Sequence, residues 1–252
     1  MKGTPGPPRI AIFPDEGAAA RALADGIAGA LADAPGLVLG LPTGRTPVGF
    51  YDELATRVEQ GAADLSRATT FNLDEFLGIP SDHPGSFRSF MNAHFFGRVN
   101  LSPGRIHFLN GSAADTEEEC ARYEREIAAA GGIDVQVLGV GTNGHIGFNE
   151  PAAALQARTH RVTLEPETRR ANASLFGGDP AAVPAEALSV GLATILQARR
   201  IVLIATGAAK ASIVERLLHG PITTEVPGSF LQLHPHVEIV MDAAAAADLR
   251  AS

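Results

Sequence analysis

Ile133-Asp134-Val135-Gln136-Val137-Leu138 runs directly into Gly139-Val140-Gly141-Thr142-Asn143-Gly144-His145-Ile146-Gly147-Phe148-Asn149-Glu150-Pro151. The first part has the length and β-branched content of a buried strand. The second is a turn with glycines at 139, 141, 144 and 147. Glycine permits positive φ and close approach of a ligand to the backbone. Within the turn stand His145, Asn149 and Glu150, side chains suited to proton transfer or polar recognition. In open α/β sheets, ligands bind at the carboxyl ends of the strands. The turn is therefore the expected active site.

Gly139, Gly141 and Gly144 also fit G-x-G-x-x-G, the dinucleotide fingerprint. That fingerprint needs a helix opening at the loop, so that its N-terminus can face the pyrophosphate. Gly147 and Pro151 oppose a helix, and no nucleotide cofactor is expected.

Working outward toward the N-terminus, Leu37-Val38-Leu39-Gly40-Leu41 reads as a strand leading into Pro42-Thr43-Gly44-Arg45-Thr46-Pro47. Pro47 suits the first turn of a helix, whose apolar face is Val48, Tyr51, Leu54 and Val58. A strand, a Gly/Thr loop and a helix N-terminus together make an anion cradle of backbone N–H groups and threonine hydroxyls. Earlier still, Arg9–Phe13 is a strand, and Asp15 can cap a helix carrying Ala20, Leu23, Ala24, Ile27, Ala30 and Leu31 at helical spacing.

Ala68–Leu73 reads as a third strand ending in Asp74-Glu75. Side chains alternate across a strand, so one of these two carboxylates should face the crevice. Ser86 can cap a helix striped with Phe87, Phe90, Met91, His94 and Phe95, where His94 is read as structural. Ile106–Phe108 is a further short strand. Thr116 with Glu119 reads as a capping box for a helix through Ile127, on which Cys120 packs.

Beyond the turn, residues 152–184 lack a clean period, and a long irregular stretch after a site loop suggests a mobile lid. Arg158, Arg161, Arg169 and Arg170 lie in it. Ala187–Ala198 reads as helical and Arg200–Ala205 as a strand. Thr206-Gly207-Ala208-Ala209-Lys210 follows, placing Lys210 in the first turn of a helix. A cation there opposes the helix dipole, which points to a bound anion. His236–Val240 is the last strand. Strands alternating with helices predict one α/β domain over residues 1–252: a single doubly wound, mostly parallel, Rossmann-like sheet with helices on both faces and a lid.

The net charge of −8 argues against nucleic-acid binding, which needs a basic face. No apolar run reaches the length of a membrane span. Residues 1–8 read as a loose tail with no signal core. Cys120 is the only cysteine, so no internal disulfide forms and a reducing cytoplasm is the expected setting.

The assembled blocks resemble the glucosamine-6-phosphate deaminase family. They are Leu41-Pro42-Thr43-Gly44-Arg45-Thr46-Pro47, Phe71-Asn72-Leu73-Asp74-Glu75-Phe76, His83-Pro84-Gly85-Ser86-Phe87, Gly141 to Pro151, and Leu231-Gln232-Leu233-His234-Pro235. The match keeps the same order over nearly the whole chain. The block from Gly141 to Pro151 separates that family from the related 6-phosphogluconolactonases.

The resemblance implies aldose–ketose isomerisation of glucosamine 6-phosphate with hydrolytic loss of ammonia, giving fructose 6-phosphate in amino-sugar catabolism. It implies that Asp74 moves the proton from C2 to C1. His145 would open the pyranose ring, oriented by Glu150 and Asn143. The phosphate would lie between Thr43, Gly44, Arg45 and Thr46 on one side and Lys210 on the other. No cofactor or metal is implied, and no recognised ligand spacing joins Asp74, His145 and Glu150 into a metal site. The only partner implied is the sugar phosphate, bound by a monomer or a homo-oligomer.

Three positions depart from the family pattern. Asn143 stands where some members carry Asp, Arg45 where a small residue is usual, and Ser174 where many have a phosphate-binding Arg. Arg45 is therefore read as the cation that replaces the one missing at Ser174. Ala153, His160 and Val162 stand where allosteric members carry effector-binding groups, so such activation is not expected. A deaminase for galactosamine 6-phosphate, a 6-phosphogluconolactonase and a non-catalytic sugar-phosphate sensor are the alternatives. The Asp74, His145 and Glu150 set argues against the sensor.

Overall fold

In the computed structural model, residues 6–249 are described. Part of the expected tail, residues 1–5, lies outside them. In chain order the elements are β1 (Arg9–Phe13), α1 (Glu16–Asp33), β2 (Val38–Leu41), α2 (Val48–Glu59), β3 (Thr69–Asn72) and β4 (Asp74–Phe76). Next come α3 (Phe87–His94), β5 (Ile106–His107), α4 (Thr116–Ala129), β6 (Val135–Leu138), β7 (His160–Thr163) and α5 (Pro166–Asn172). The chain then forms β8 (Glu186–Ser189), α6 (Leu192–Leu196), β9 (Arg200–Ala205), α7 (Ala211–His219) and β10 (Val237–Asp242).

Seven strands form one sheet in the order β1-β10-β9-β6-β2-β3-β5, and every pairing in it is parallel. A parallel sheet is buried on both faces, so its strands are apolar throughout rather than alternating. Val38, Leu203, Ile239 and Met241 pack with residues of α4, α6 and α7. Their neighbours Leu39, Leu41, Val202, Ile204 and Val240 point the other way, against α1, α2 and α3. Each such Leu, Ile or Val contributes roughly 1.5–3 kcal/mol by leaving water, so both layers of helices are held. The doubly wound expectation is met.

The winding reverses at one place. From β2 the chain builds outward through β3 and β5, then returns to β6 beside β2 and builds the opposite way through β9 and β10. A crevice opens at the carboxyl ends of the strands where the order reverses. The loops after β2 and β6 flank that crevice.

A second sheet, antiparallel and three-stranded in the order β4-β8-β7, was not expected. Leu73 is the seam between the sheets. Its N–H donates to the Leu41 carbonyl in the large sheet, while its own carbonyl accepts from Val190 in the small one. Asp74 is the first residue past that seam and pairs with Ser189.

Local readings fail where short elements depend on this sheet. Ala187–Ala198 is β8 followed by the short helix α6, not one helix. Residues 152–184 contain β7, α5 and a 3-10 turn at Ala173–Phe176; elements this short show no period. The capping box also fails. Asp115 caps α4 through the N–H groups of Glu117 and Glu118, while Glu119 turns to the Asn110 N–H and to Arg122. Asp15 caps α1 as expected, accepting from Ala18 at 2.7 Å.

Candidate active site

A cavity of about 500 Å³ lies at the carboxyl ends of β2, β3, β6 and β9. Thr43, Gly44, Arg45 and Thr46 enter it from the loop after β2, Asp74 from β4, Asn143 and His145 from the loop after β6, and Lys210 from the start of α7. Glu150 stands behind His145, in contact with it. The nine side chains and backbone positions singled out in the sequence thus meet in one place.

Of the Asp74-Glu75 pair, only Asp74 faces the cavity, as strand alternation requires. Its side chain is buried at 6% exposure, and Oδ1 has no hydrogen-bond partner among the described residues. Burial pushes its pKa up to about 8, the Glu75 charge adds to the rise, and the Thr43 hydroxyl opposes it. A carboxyl group so tuned is a much stronger base than one in water. Gly147 keeps the space above it open: its φ is 56°, and a Cβ there would stand 3.6 Å from Asp74 Oδ2 and 3.2 Å from Ser189 Oγ.

Glu75 points the opposite way and holds α3. Its carboxylate accepts from the N–H groups of Phe76, Phe87 and Arg88, each at 2.9 Å. Burial raises its pKa to about 7 against the pull of those donors and of the Arg88 charge. Two carboxyl groups adjacent in sequence are thus both displaced upward, for the same desolvation reason.

His145 is fixed by its own loop. Asn143 Oδ1 accepts the His145 backbone N–H at 3.2 Å, and Asn143 Nδ2 donates to Glu150 Oε2 at 2.8 Å. The same Glu150 oxygen lies 3.1 Å from His145 Nδ1. Burial works to raise the Glu150 pKa, but its bonds with His145, Thr168 and Asn143 hold it below the usual value. An ionised carboxylate only accepts, so Nδ1 carries the ring proton and Nε2 is left for a ligand. Gly141 lies against the ring: a Cβ there would come within 2.5 Å of Nε2 and Cε1. Only glycine lets the imidazole sit where it does.

Two cations, Arg45 and Lys210, line the same cavity. Burial lowers the Lys210 pKa, the Arg45 charge lowers it further, and Glu167 works the opposite way. Two like charges within electrostatic reach are tolerated best around an anion. Ser174 lines the same cavity, so Arg45 and the position it is read to replace border one space.

The other residues weighed in the sequence have mixed outcomes. Asn149 is buried and bonds the Ile146 and Val190 carbonyls, bracing the loop instead of entering the cavity. His94, read as structural, is half-buried and lines the cavity while packing on Phe90. Arg158 and Arg161 pair with Glu124 and Glu186 on the surface, and Arg169 bonds the Val183 and Ala181 carbonyls. Cys120 is buried, its thiol pushed up to about 11 by burial and by nearby glutamates, which fits packing. Among the described residues, no group of three His, Cys, Asp or Glu side chains gathers in a form that could hold a metal ion. No helix among them is long and apolar enough to cross a membrane.

Sequence reasoning missed Glu167, Thr168 and Ser189. Thr168 donates to Glu150, Glu167 accepts from Thr142, and Ser189 Oγ accepts from the Phe148 N–H and so braces the loop. The hydroxyls of Thr168 and Ser189 carry no local signal, because their partners lie far away in the chain.

The family model described as glucosamine-6-phosphate isomerases/6-phosphogluconolactonase matches residues 15–240. The chain is 46% identical over 241 residues to the glucosamine-6-phosphate deaminase of Beutenbergia cavernae, covering 96% of this chain and 92% of that one. It is 49% identical over 212 residues to the glucosamine-6-phosphate deaminase of Halothermothrix orenii, covering 84% and 88%. A solved structure of a monomeric glucosamine-6-phosphate deaminase superposes with a TM-score of 0.92 at 40% identity, covering 95% of this chain and 99% of that one.

Proposed function

The chain belongs to the glucosamine-6-phosphate isomerase/6-phosphogluconolactonase family, and we propose that within it the protein is a glucosamine-6-phosphate deaminase. It takes glucosamine 6-phosphate and water to fructose 6-phosphate and ammonia. The carbons exchange oxidation state internally and water enters as ammonia leaves, so the overall reaction is redox-balanced within the substrate.

One observation carries the reading: a buried, strongly basic carboxyl group and an imidazole with a free Nε2 face one cavity that two cations also line. The phosphate lies between the loop of Thr43, Gly44, Arg45 and Thr46 and the Lys210 ammonium. Backbone N–H groups and fixed charges hold it without any chemistry of their own. That anchor stretches the sugar across the site. His145 exchanges a proton at the ring oxygen and the anomeric hydroxyl, opening the ring, while Glu150 and Asn143 hold its tautomer.

With the chain open, C2 carries an acidic proton beside the aldehyde. Asp74 removes it and returns it to C1, leaving an imine at C2 that water hydrolyses. One base serving both carbons needs an extended substrate with both protons on the same face. General base catalysis of this kind contributes typically about 10²–10⁴-fold. Segment 152–184, which carries Glu167, Thr168 and Ser174 over the cavity, acts as the lid. All the groups invoked come from one chain, and the buried free thiol of Cys120 suits a reducing cytoplasm.

The test is ammonia release by wild type and Asp74→Asn from glucosamine 6-phosphate and galactosamine 6-phosphate, with 6-phosphogluconolactone hydrolysis measured alongside. Wild-type release from the gluco epimer that collapses in the variant is the expected result. Hydrolysis of the lactone with no ammonia from either amino sugar would refute the deaminase assignment.

A further inference from the structure

One turn of α5 grips the loop after β6 twice. Glu167 Oε1 accepts from Thr142 Oγ1 at 2.7 Å, and the adjacent Thr168 donates its hydroxyl to Glu150 Oε1. Thr168 is 2% exposed. The other Glu150 oxygen is the one that meets His145 Nδ1 and Asn143 Nδ2. Glu150 is therefore a bridge, with α5 on one oxygen and His145 on the other. Asn172 Nδ2 donates to the Thr168 carbonyl at 2.9 Å and steadies the same turn.

We propose that Thr168 is a positioning residue of the reaction: through Glu150, the helix that covers the cavity sets the orientation and the proton of His145. The inference rests on the role given above to His145. A carboxylate anchored at one oxygen can rotate about its last bond, whereas anchors at both fix its plane. Rotation would break the contact to Nδ1 and free the ring to turn or change tautomer. Glu167 clasping Thr142 from the same turn means that α5 and the loop keep their register as a unit.

The charged groups around His145 are Glu150 on its own loop, Asp74 on β4, Arg45 after β2, Glu167 on α5 and Lys210 at the start of α7. Of these, only Glu150 loses a hydrogen bond when the Thr168 hydroxyl is removed. A change in which His145 nitrogen carries the proton on that removal therefore reads the Glu150 contact.

Thr168→Val keeps the side-chain volume and deletes the hydroxyl, while Thr168→Ser restores it. Both are compared with wild type by steady-state ammonia release and by nitrogen NMR of the His145 ring, which shows whether Nδ1 or Nε2 carries the proton. Thr168→Val is expected to lower kcat roughly 10- to 100-fold with KM within about twofold. Its His145 ring loses the fixed Nδ1–H tautomer as the carboxylate contact loosens, and Thr168→Ser returns both toward wild type. A ring that keeps its proton on Nδ1 as in wild type in Thr168→Val, or a Ser variant no better than Val, overturns the proposal and leaves Thr168 as packing. Should the Val variant not fold, Thr168→Ala replaces it with the same readouts. Should wild type release no ammonia, the deaminase reading fails, while the His145 tautomer still decides the link from Thr168.

Discussion

Replacing Asp74 with asparagine should stabilise the protein as it inactivates it, and the gain should depend on pH. In the folded chain the Asp74 carboxyl has a pKa of about 8, against 3.8 ordinarily. Unfolding exposes it to water, where the ordinary value applies. The native state therefore keeps a proton that the unfolded state gives up between those two values. Stability is full below the unfolded value and falls as pH rises through the window, levelling above about 8. From pH 5 to pH 8 the span is about 3 units, or about 4 kcal/mol at roughly 1.4 kcal/mol per unit. Asparagine does not ionise and escapes this loss. For a chain of this size, each kcal/mol moves Tm by roughly 2–4 °C. The advantage of the variant over wild type should thus grow by about 8–16 °C between pH 5 and pH 8. Thermal melts of both proteins at the two pH values measure it, because groups that titrate alike in both cancel in the comparison. An advantage that stays constant with pH would refute the claim that a buried, strongly basic carboxyl group sits at this position. Ammonia release should fall by about 10²–10⁴-fold in the same variant, so the stability and the turnover trade against each other at one side chain.

Three further outcomes follow from the geometry. Glu75→Gln removes the charge that pushes Asp74 upward, so the acid limb of kcat/KM against pH should shift to lower pH. The same variant sets an amide against the α3 N–H groups and should cost about 1–3 kcal/mol in denaturant titration; an acid limb that stays in place would refute the electrostatic coupling. Arg45→Ala should raise KM by roughly 10- to 100-fold, and adding Ser174→Arg to it should recover much of that loss; an unchanged KM sinks the idea that Arg45 stands in for a lid cation. Gly141→Ala forces a Cβ to within 2.5 Å of the His145 ring. It should lower kcat by about 10²-fold with a near-native KM and melting temperature, and an unaffected kcat would mean the ring position is not critical.

The site was legible to different depths. Strand alternation, a rule that acts between adjacent residues, foretold that one carboxylate of the Asp74-Glu75 pair would face the crevice, while the choice of Asp74 came from the family resemblance. The cradle from Thr43 to Thr46 and the odd cation at Lys210 were likewise local features of a strand, a loop and a helix start. Asn149 was misread because its residue type permits either recognition or bracing, and only the positions of the Ile146 and Val190 carbonyls decide between them. His94 was assigned to the core by its spacing, yet the last turn of α3 brings it to the cavity wall while it packs on Phe90.

The sequence by itself determined the large parallel sheet and the loops that gather at its carboxyl edge. Those follow from apolar runs, glycine turns and capping residues, whose physics acts over a few positions. Only the tertiary structure decided the small antiparallel sheet, since β4 pairs with β8 across more than a hundred residues and no local period records that pairing. The seam at Leu73 comes from it, and with the seam the burial that makes Asp74 basic. The contact of Thr168 with Glu150 is of the same kind. A hydroxyl has no preference for a distant carboxylate until the fold places both in one dry space, where the hydrogen bond is worth most.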